Sequence, residues 1–204
     1  MPVTFDLFGT LVAADRPDNP AVAVARELRE RGVTVPDDWT DAYAEPHINA
    51  PDGAEVPLPA HVAAALASRG VTVRENAARR AVVAAFDPRV ERCPGALAAV
   101  ERARERGPVG LLSNCSVPEL VRRSLRAADL WVGDNGQRFD AVVASCSCGW
   151  RKPDARAFET VANALDCVPD ELVHIGDSAA DAGVEAVGGQ FVDTRETPLS
   201  AVPP

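Results

Sequence analysis

The sequence predicts an α/β fold, a mostly parallel sheet with helices on both faces, and three features carry that expectation. Four short runs rich in Val, Ile and Leu read as strands buried on both sides: PVTFDLF (2–8), PVGLLSN (108–114), DAVVAS (140–145) and ELVHIGD (171–177). Amphipathic segments alternate with them, at 95–107, 117–130, 153–165 and 179–189. The alternation is broken once, over residues 15–90, where the chain turns helical or irregular.

Each element has a local reason. The segment 95–107 ends on a glycine stop, and 153–165 opens with a proline, which tolerates a first helical turn. A weaker run, QFVDT (190–194), suits an edge strand. Within 15–90, the stretches 25–32, 59–70 and 75–86 look helical, and PHINAPDGAEVPLP (46–59) is too rich in Pro, Asp and Gly for either element. This helical insertion leaves just after the first strand and returns near Pro94-Gly95, so it is expected over the carboxyl ends of the strands, where open α/β sheets bind ligands. The expected domains are a core at 1–14 and 91–197, a helical cap at 15–90 and a loose Pro-rich tail at 198–204.

Composition narrows the function. A net charge of −9 argues against nucleic-acid or anionic-membrane partners, leaving a small-molecule substrate and a monomer or homodimer as the expectation. No secretory leader is evident and five cysteines at irregular spacing give no disulfide framework, which points to a cytoplasmic chain with reduced thiols. Of 21 basic residues, 20 are arginines and Lys152 is the lone lysine. Acidic excess with so little lysine suits a salt-rich cytoplasm or a GC-rich genome. The one retained ammonium marks a place where a forked guanidinium would not serve.

Polar groups gather where the strands end. Asp6 closes the first run, followed by Gly9 and Thr10; Ser113-Asn114 ends the second; Lys152-Pro153 follows the third; Gly176-Asp177-Ser178-Ala179-Ala180-Asp181 ends the fourth. Singly, a strand-ending serine is an ordinary helix cap and GDS an ordinary turn. Together, on one edge of one sheet, they suit phosphoryl or acyl transfer. Asp6 can attack as a nucleophile, Thr10 and Ser113 can hydrogen-bond the transferring group, and Lys152 can offset its charge. Asp6 and Asp177 are the carboxylates for a hard Mg²⁺ ion, with Asp181 direct or through water.

These stretches, FDLFGTL, LLSN, SCSCGWRKP and GDSAAD in that order, resemble the four motifs of the haloacid dehalogenase-like hydrolase superfamily. The resemblance implies a Rossmann-like parallel sheet, a cap between the first two motifs, and a phosphatase that forms an aspartyl-phosphate with Mg²⁺. It also implies substrate contacts at Gly9 and Asn114, and the backbone carbonyl of Phe8 as a further metal ligand. The family's usual second aspartate, a proton carrier, stands two residues after the nucleophile; here that residue is Phe8. An aromatic residue there is similar to the metal-independent 2-haloacid dehalogenases, whose halide leaves unprotonated. Asp177 in the fourth motif points back to the Mg²⁺ phosphatases. A weakly active or non-catalytic phospholigand- or partner-binding homologue is the third alternative.

With Phe8 in place, no side chain of the first motif protonates a leaving group. The expectation is preference for leaving groups that depart as anions, unless His47 or His61 of the insertion supplies the proton. His174 reads as a satisfied core histidine, and Trp39, Tyr43 and Trp131 as packing residues. Cys93, Cys115, Cys146 and Cys148 could meet on a soft metal, though buried apolar cysteine is the ordinary reading.

Overall fold

The structure is a computed structural model that describes residues 1–74, 76–131 and 138–201. Five parallel strands form the central sheet: β1 (Val3–Phe5), β4 (Val109–Ser113), β5 (Ala141–Ala144), β6 (Val173–Gly176) and β7 (Gln190–Asp193). Their spatial order is β5-β4-β1-β6-β7, so β1 lies centrally and the chain builds outward from it first on one side, then on the other. That reversal beside β1 is the switch point at which open α/β sheets form a crevice. All five apolar runs of the sequence are strands of this sheet.

Side chains alternate across the sheet and feed two cores. On β4, Leu111 packs into a large cluster with Phe5, Leu7, Val100, Val121 and Leu125, whereas Leu112 packs into a second with Phe158, Val161, Leu165 and Val184. The helices that cover these faces are α5 (Ala96–Arg104), α6 (Leu120–Ala127) and α8 (Ala155–Ala164), with a single short turn, α7 (Ser145–Cys148), after β5. Asp154 caps α8 by accepting from the Arg156 N–H at 3.0 Å.

The insertion holds four helices, α1 (Pro20–Glu30), α2 (Trp39–Ala44), α3 (Leu58–Ser68) and α4 (Ala77–Ala85). Val24, Leu28, Trp39, Leu66 and Val82 bury its inner faces in the larger cluster. Two short strands that the sequence did not announce, β2 (Val12–Ala14) and β3 (Val90–Arg92), pair antiparallel at its base and draw the two crossing chains together. The return therefore begins at Val90, within the stretch expected to hold no strand.

Two further expectations are corrected. Residues 181–187 form a 3₁₀ helix rather than an α-helix, with i to i+3 hydrogen bonds such as Asp181 N–H to Ser178 O (3.0 Å). Its cause is local: the Asp181 side chain turns back to the Ser178 N–H at 3.0 Å and pins the first turn tightly. The segment expected as a loose tail is tied down as far as it is described, since Leu199 is buried and its carbonyl accepts from Arg102 Nη2 at 2.7 Å; residues 202–204 lie outside the described residues. No helix among the described residues is long and apolar enough to cross a membrane.

Candidate active site

Asp6 stands one residue beyond the central strand, its backbone N–H donating to Ile175 O of β6 at 2.9 Å. Its neighbours β4 and β6 deliver Ser113 and Asp177 to the same edge, and the loop after β5 delivers Lys152. The turn that follows Asp6 is tight. Leu11 and Val12 N–H both donate to Leu7 O, and Gly9 N–H donates to Val12 O at 2.9 Å, which leaves the Phe8 carbonyl outside that set of bonds. Gly9 has φ +95°, and a Cβ there would lie 2.2 Å from Asp177 Oδ2, so only glycine lets this turn approach Asp177 so closely.

Lys152 organises the charge. Its side chain is 1% exposed, and Nζ donates to Asp6 Oδ1 (2.8 Å), Leu112 O (2.7 Å) and Asp181 Oδ1 (2.5 Å). Three acceptors match the three protons of an ammonium, which gives a physical reason for the lone lysine. Asn114 fixes the loop behind it: its Oδ1 accepts from Lys152 N–H (2.8 Å) and its Nδ2 donates to Lys152 O (2.9 Å). That pair of bonds gives Asn114 a positioning role, while the residue also lines the cleft between core and insertion.

Asp181 is almost wholly buried and fully engaged. Oδ1 faces Lys152 and His174 Nε2 (3.0 Å), while Oδ2 accepts from the Ser178 N–H (3.0 Å) and hydroxyl (2.5 Å). Burial alone would raise its carboxyl; the His174 hydrogen bond and the Lys152 charge outweigh that and hold it well below the usual carboxylate range. His174 is buried and pushed down to about 4 by burial and the neighbouring ammonium, so it is a neutral imidazole. Thr4 Oγ1 lies 2.8 Å from Nδ1, which fits a tautomer whose Nε2–H donates to Asp181. The sequence reading of a satisfied core histidine is accurate as to burial, yet its partner is a charged group of the site. That link was invisible in the apolar run around it.

Asp6 behaves oppositely. Burial pushes its carboxyl up, against the pull of Lys152. Lys152 engages Oδ1, and the Leu7 backbone N–H also hydrogen-bonds the carboxylate. Ser113 Oγ is buried with no partner among the described residues, an orphaned donor at the site. Thr10 Oγ1 donates to Asp177 Oδ1 at a long 3.4 Å. Oxygens of Asp6, Asp177 and Asp181 lie within 4.8 Å of one another, the one such cluster of metal-ligating side chains found among the described residues. The five cysteines are free thiols.

Beside this centre a cleft of about 290 Å³ opens between core and insertion, lined on one side by Phe8, Asn114 and Val117 and on the other by Arg16, Glu55 and Phe86. His47 and His61 do not line it. Their Nε2 atoms are held by the backbone carbonyls of Ala42 (2.6 Å) and Tyr43 (2.8 Å) in the insertion's own helix.

A parallel sheet with an aspartate at its central strand end, an ammonium beside it and further carboxylates on the next strand defines an α/β hydrolase. The chain belongs to the haloacid dehalogenase-like hydrolase family, which matches residues 3–184. No curated protein matches it. Among solved structures it is similar to a haloacid dehalogenase-family enzyme of Bacteroides thetaiotaomicron in complex with magnesium and inorganic phosphate (TM-score 0.58, 18% identity, 94% of this chain and 92% of that one). It is also similar to the L-2-haloacid dehalogenase of Xanthobacter autotrophicus (0.56, 22%, 94% and 76%) and a family phosphatase of Thermococcus onnurineus (0.56, 18%, 94% and 85%). At such identities the likeness is one of fold, and both activities occur among the neighbours.

Proposed function

We propose that the protein is a Mg²⁺-dependent phosphatase of a small phosphorylated metabolite, working through an aspartyl-phosphate on Asp6. The observation that carries this is the carboxylate cluster of Asp6, Asp177 and Asp181, whose oxygens lie within 4.8 Å of each other with one ammonium among them. Three carboxylates against one lysine leave an excess of negative charge that a hard divalent cation would offset, and the all-oxygen donor set suits Mg²⁺. A neighbouring fold that holds magnesium and inorganic phosphate supports the reading.

Asp6, Asp177 and the Phe8 carbonyl would hold the ion, with Asp181, whose oxygens are already engaged, adding its charge from beside them. Bound there, the ion would offset the charge of the carboxylates and of the phosphoryl group. Asp6 Oδ2 attacks phosphorus while Lys152 keeps Oδ1 in place. Ser113 Oγ and Thr10 donate to the phosphoryl oxygens, which would satisfy the orphaned Ser113 hydroxyl. Residues 15–90 act as a helical cap that shelters the leaving group in the cleft.

A second reading, a metal-independent 2-haloacid dehalogenase, has one observation in its favour: Phe8 offers no carboxylate and a departing halide needs no proton. Turnover of phosphate esters and of 2-haloacids, each with and without Mg²⁺, separates the two. Turnover of phosphate esters only with Mg²⁺ supports the phosphatase; turnover of 2-haloacids that ignores Mg²⁺ overturns it.

A further inference from the structure

Phe8 leaves the reaction without its usual proton carrier, and the histidines first considered for that part do not line the cleft. A carboxylate does. Glu55, from the irregular stretch between α2 and α3, is 3% exposed at its side chain and lines the same cleft as Phe8. We infer that Glu55 is the proton carrier of the reaction, replacing from the insertion the carboxylate that the first motif lacks. This rests on the phosphatase reading above.

Three observations carry it. Glu55 is held firmly over the strand ends, because the segments 53–55 and 149–151 pair like antiparallel strands: Glu55 N–H donates to Gly149 O and Arg151 N–H to Gly53 O, both at 2.9 Å, with a bridge between Ala54 and Trp150. Gly53 permits this approach, having φ +78° and no Cβ to meet Asp154 Oδ2 at 2.1 Å. Next, the carboxylate is half used. Oε2 accepts from Ser145 Oγ at 2.6 Å, Ser145 Oγ in turn accepts from Cys115 N–H at 2.8 Å, and Arg151 Nε lies 4.0 Å away, whereas Oε1 has no hydrogen bond among the described residues. Finally, Ser145 and Cys115 sit just past the ends of β5 and β4, and Asn114, next to Ser113, lines the cleft together with Phe8 and Glu55, so this cleft is the space adjoining a phosphoryl held at Asp6 and Ser113. Asp15, the other carboxylate of the cleft, is exposed to solvent and has no such anchor.

The step balances. As Asp6 Oδ2 bonds to phosphorus and the ester P–O bond breaks, the Glu55 carboxylic acid gives its proton to the departing oxygen, releasing an alcohol. As water then bonds to phosphorus and the Asp6 acyl–phosphate bond breaks, the Glu55 carboxylate takes the water's proton and returns to its starting form.

The test is kcat/KM with Mg²⁺ on phosphate monoesters from aryl to alkyl, for the parent, Glu55→Gln, and Glu55→Gln combined with Phe8→Asp. General acid–base catalysis is worth roughly 10²–10⁴-fold, so Glu55→Gln should lower the alkyl-to-aryl ratio of kcat/KM by about that factor. Returning a carboxylate to position 8 should restore much of it, which repair of packing would not do. Equal losses on alkyl and aryl esters, or no loss, overturn the inference while leaving the phosphatase reading intact. Should Glu55→Gln fail to fold, Glu55→Asp is measured instead, and an unchanged ratio there overturns the inference. A parent inactive on every phosphate ester overturns the phosphatase reading and this inference with it.

Discussion

Replacing Lys152 with methionine, of similar length and no charge, tests the electrostatic core of the site. Nζ is enclosed and satisfies Asp6 Oδ1, Leu112 O and Asp181 Oδ1 at 2.5–2.8 Å, so the variant strands two buried carboxylates and a carbonyl at once. Removing one partner of a buried ion pair costs about 3–5 kcal/mol, because the remaining charge is left uncompensated. For a chain of 204 residues each kcal/mol lowers Tm by about 2–4 °C, which gives a fall of about 6–20 °C. Thermal unfolding followed by circular dichroism, in chelator so that no cation substitutes for the lysine, measures it. Turnover should vanish as well. A metal-free variant melting within about 2 °C of the parent, the shift expected from less than 1 kcal/mol, would refute the claim that this ammonium holds the carboxylates together.

Asp177→Asn should weaken Mg²⁺ binding by more than about tenfold, the low end of what even an outer-shell partner costs, and isothermal calorimetry reads it directly. Equal affinity in parent and variant would remove Asp177 from the metal site. The Cys115 thiol, buried and pushed up to about 12, should resist iodoacetamide at pH 8 in the folded protein, because the thiolate that reacts forms only as the pH approaches that value. Mass spectrometry would locate the label, and modification of native Cys115 at a rate near that in denaturant would contradict its burial.

The strands of the sheet were legible because burial on both faces demands continuous apolar side chains, and VTF, VGLLS and VHIG supply them within a few residues. The site was legible for a related reason, since parallel strands must end on one edge and the polar residue that ends each run is therefore delivered there. What escaped is what depends on partners far along the chain. The strand Val90–Arg92 is a largely exposed VER whose only reason to be extended is its pairing with Val12–Ala14. The amide of Asn114 spans the Lys152 backbone, a contact its own neighbours do not announce, and Glu55 reads as one more acid in a Pro/Gly-rich loop until Gly149, Arg151 and Ser145 close on it. The 3₁₀ turn at Asp181 follows from a side-chain hydrogen bond that helical periodicity does not encode.

The measurement that bears most directly on the central claim is phosphate release from a panel of phosphate monoesters, run beside halide release from 2-haloacids, with Mg²⁺ and with chelator. Phosphate release should require Mg²⁺ and disappear in Asp6→Asn, with no halide release in either condition. Halide release undiminished by chelator, with the phosphate esters left intact, would contradict that claim.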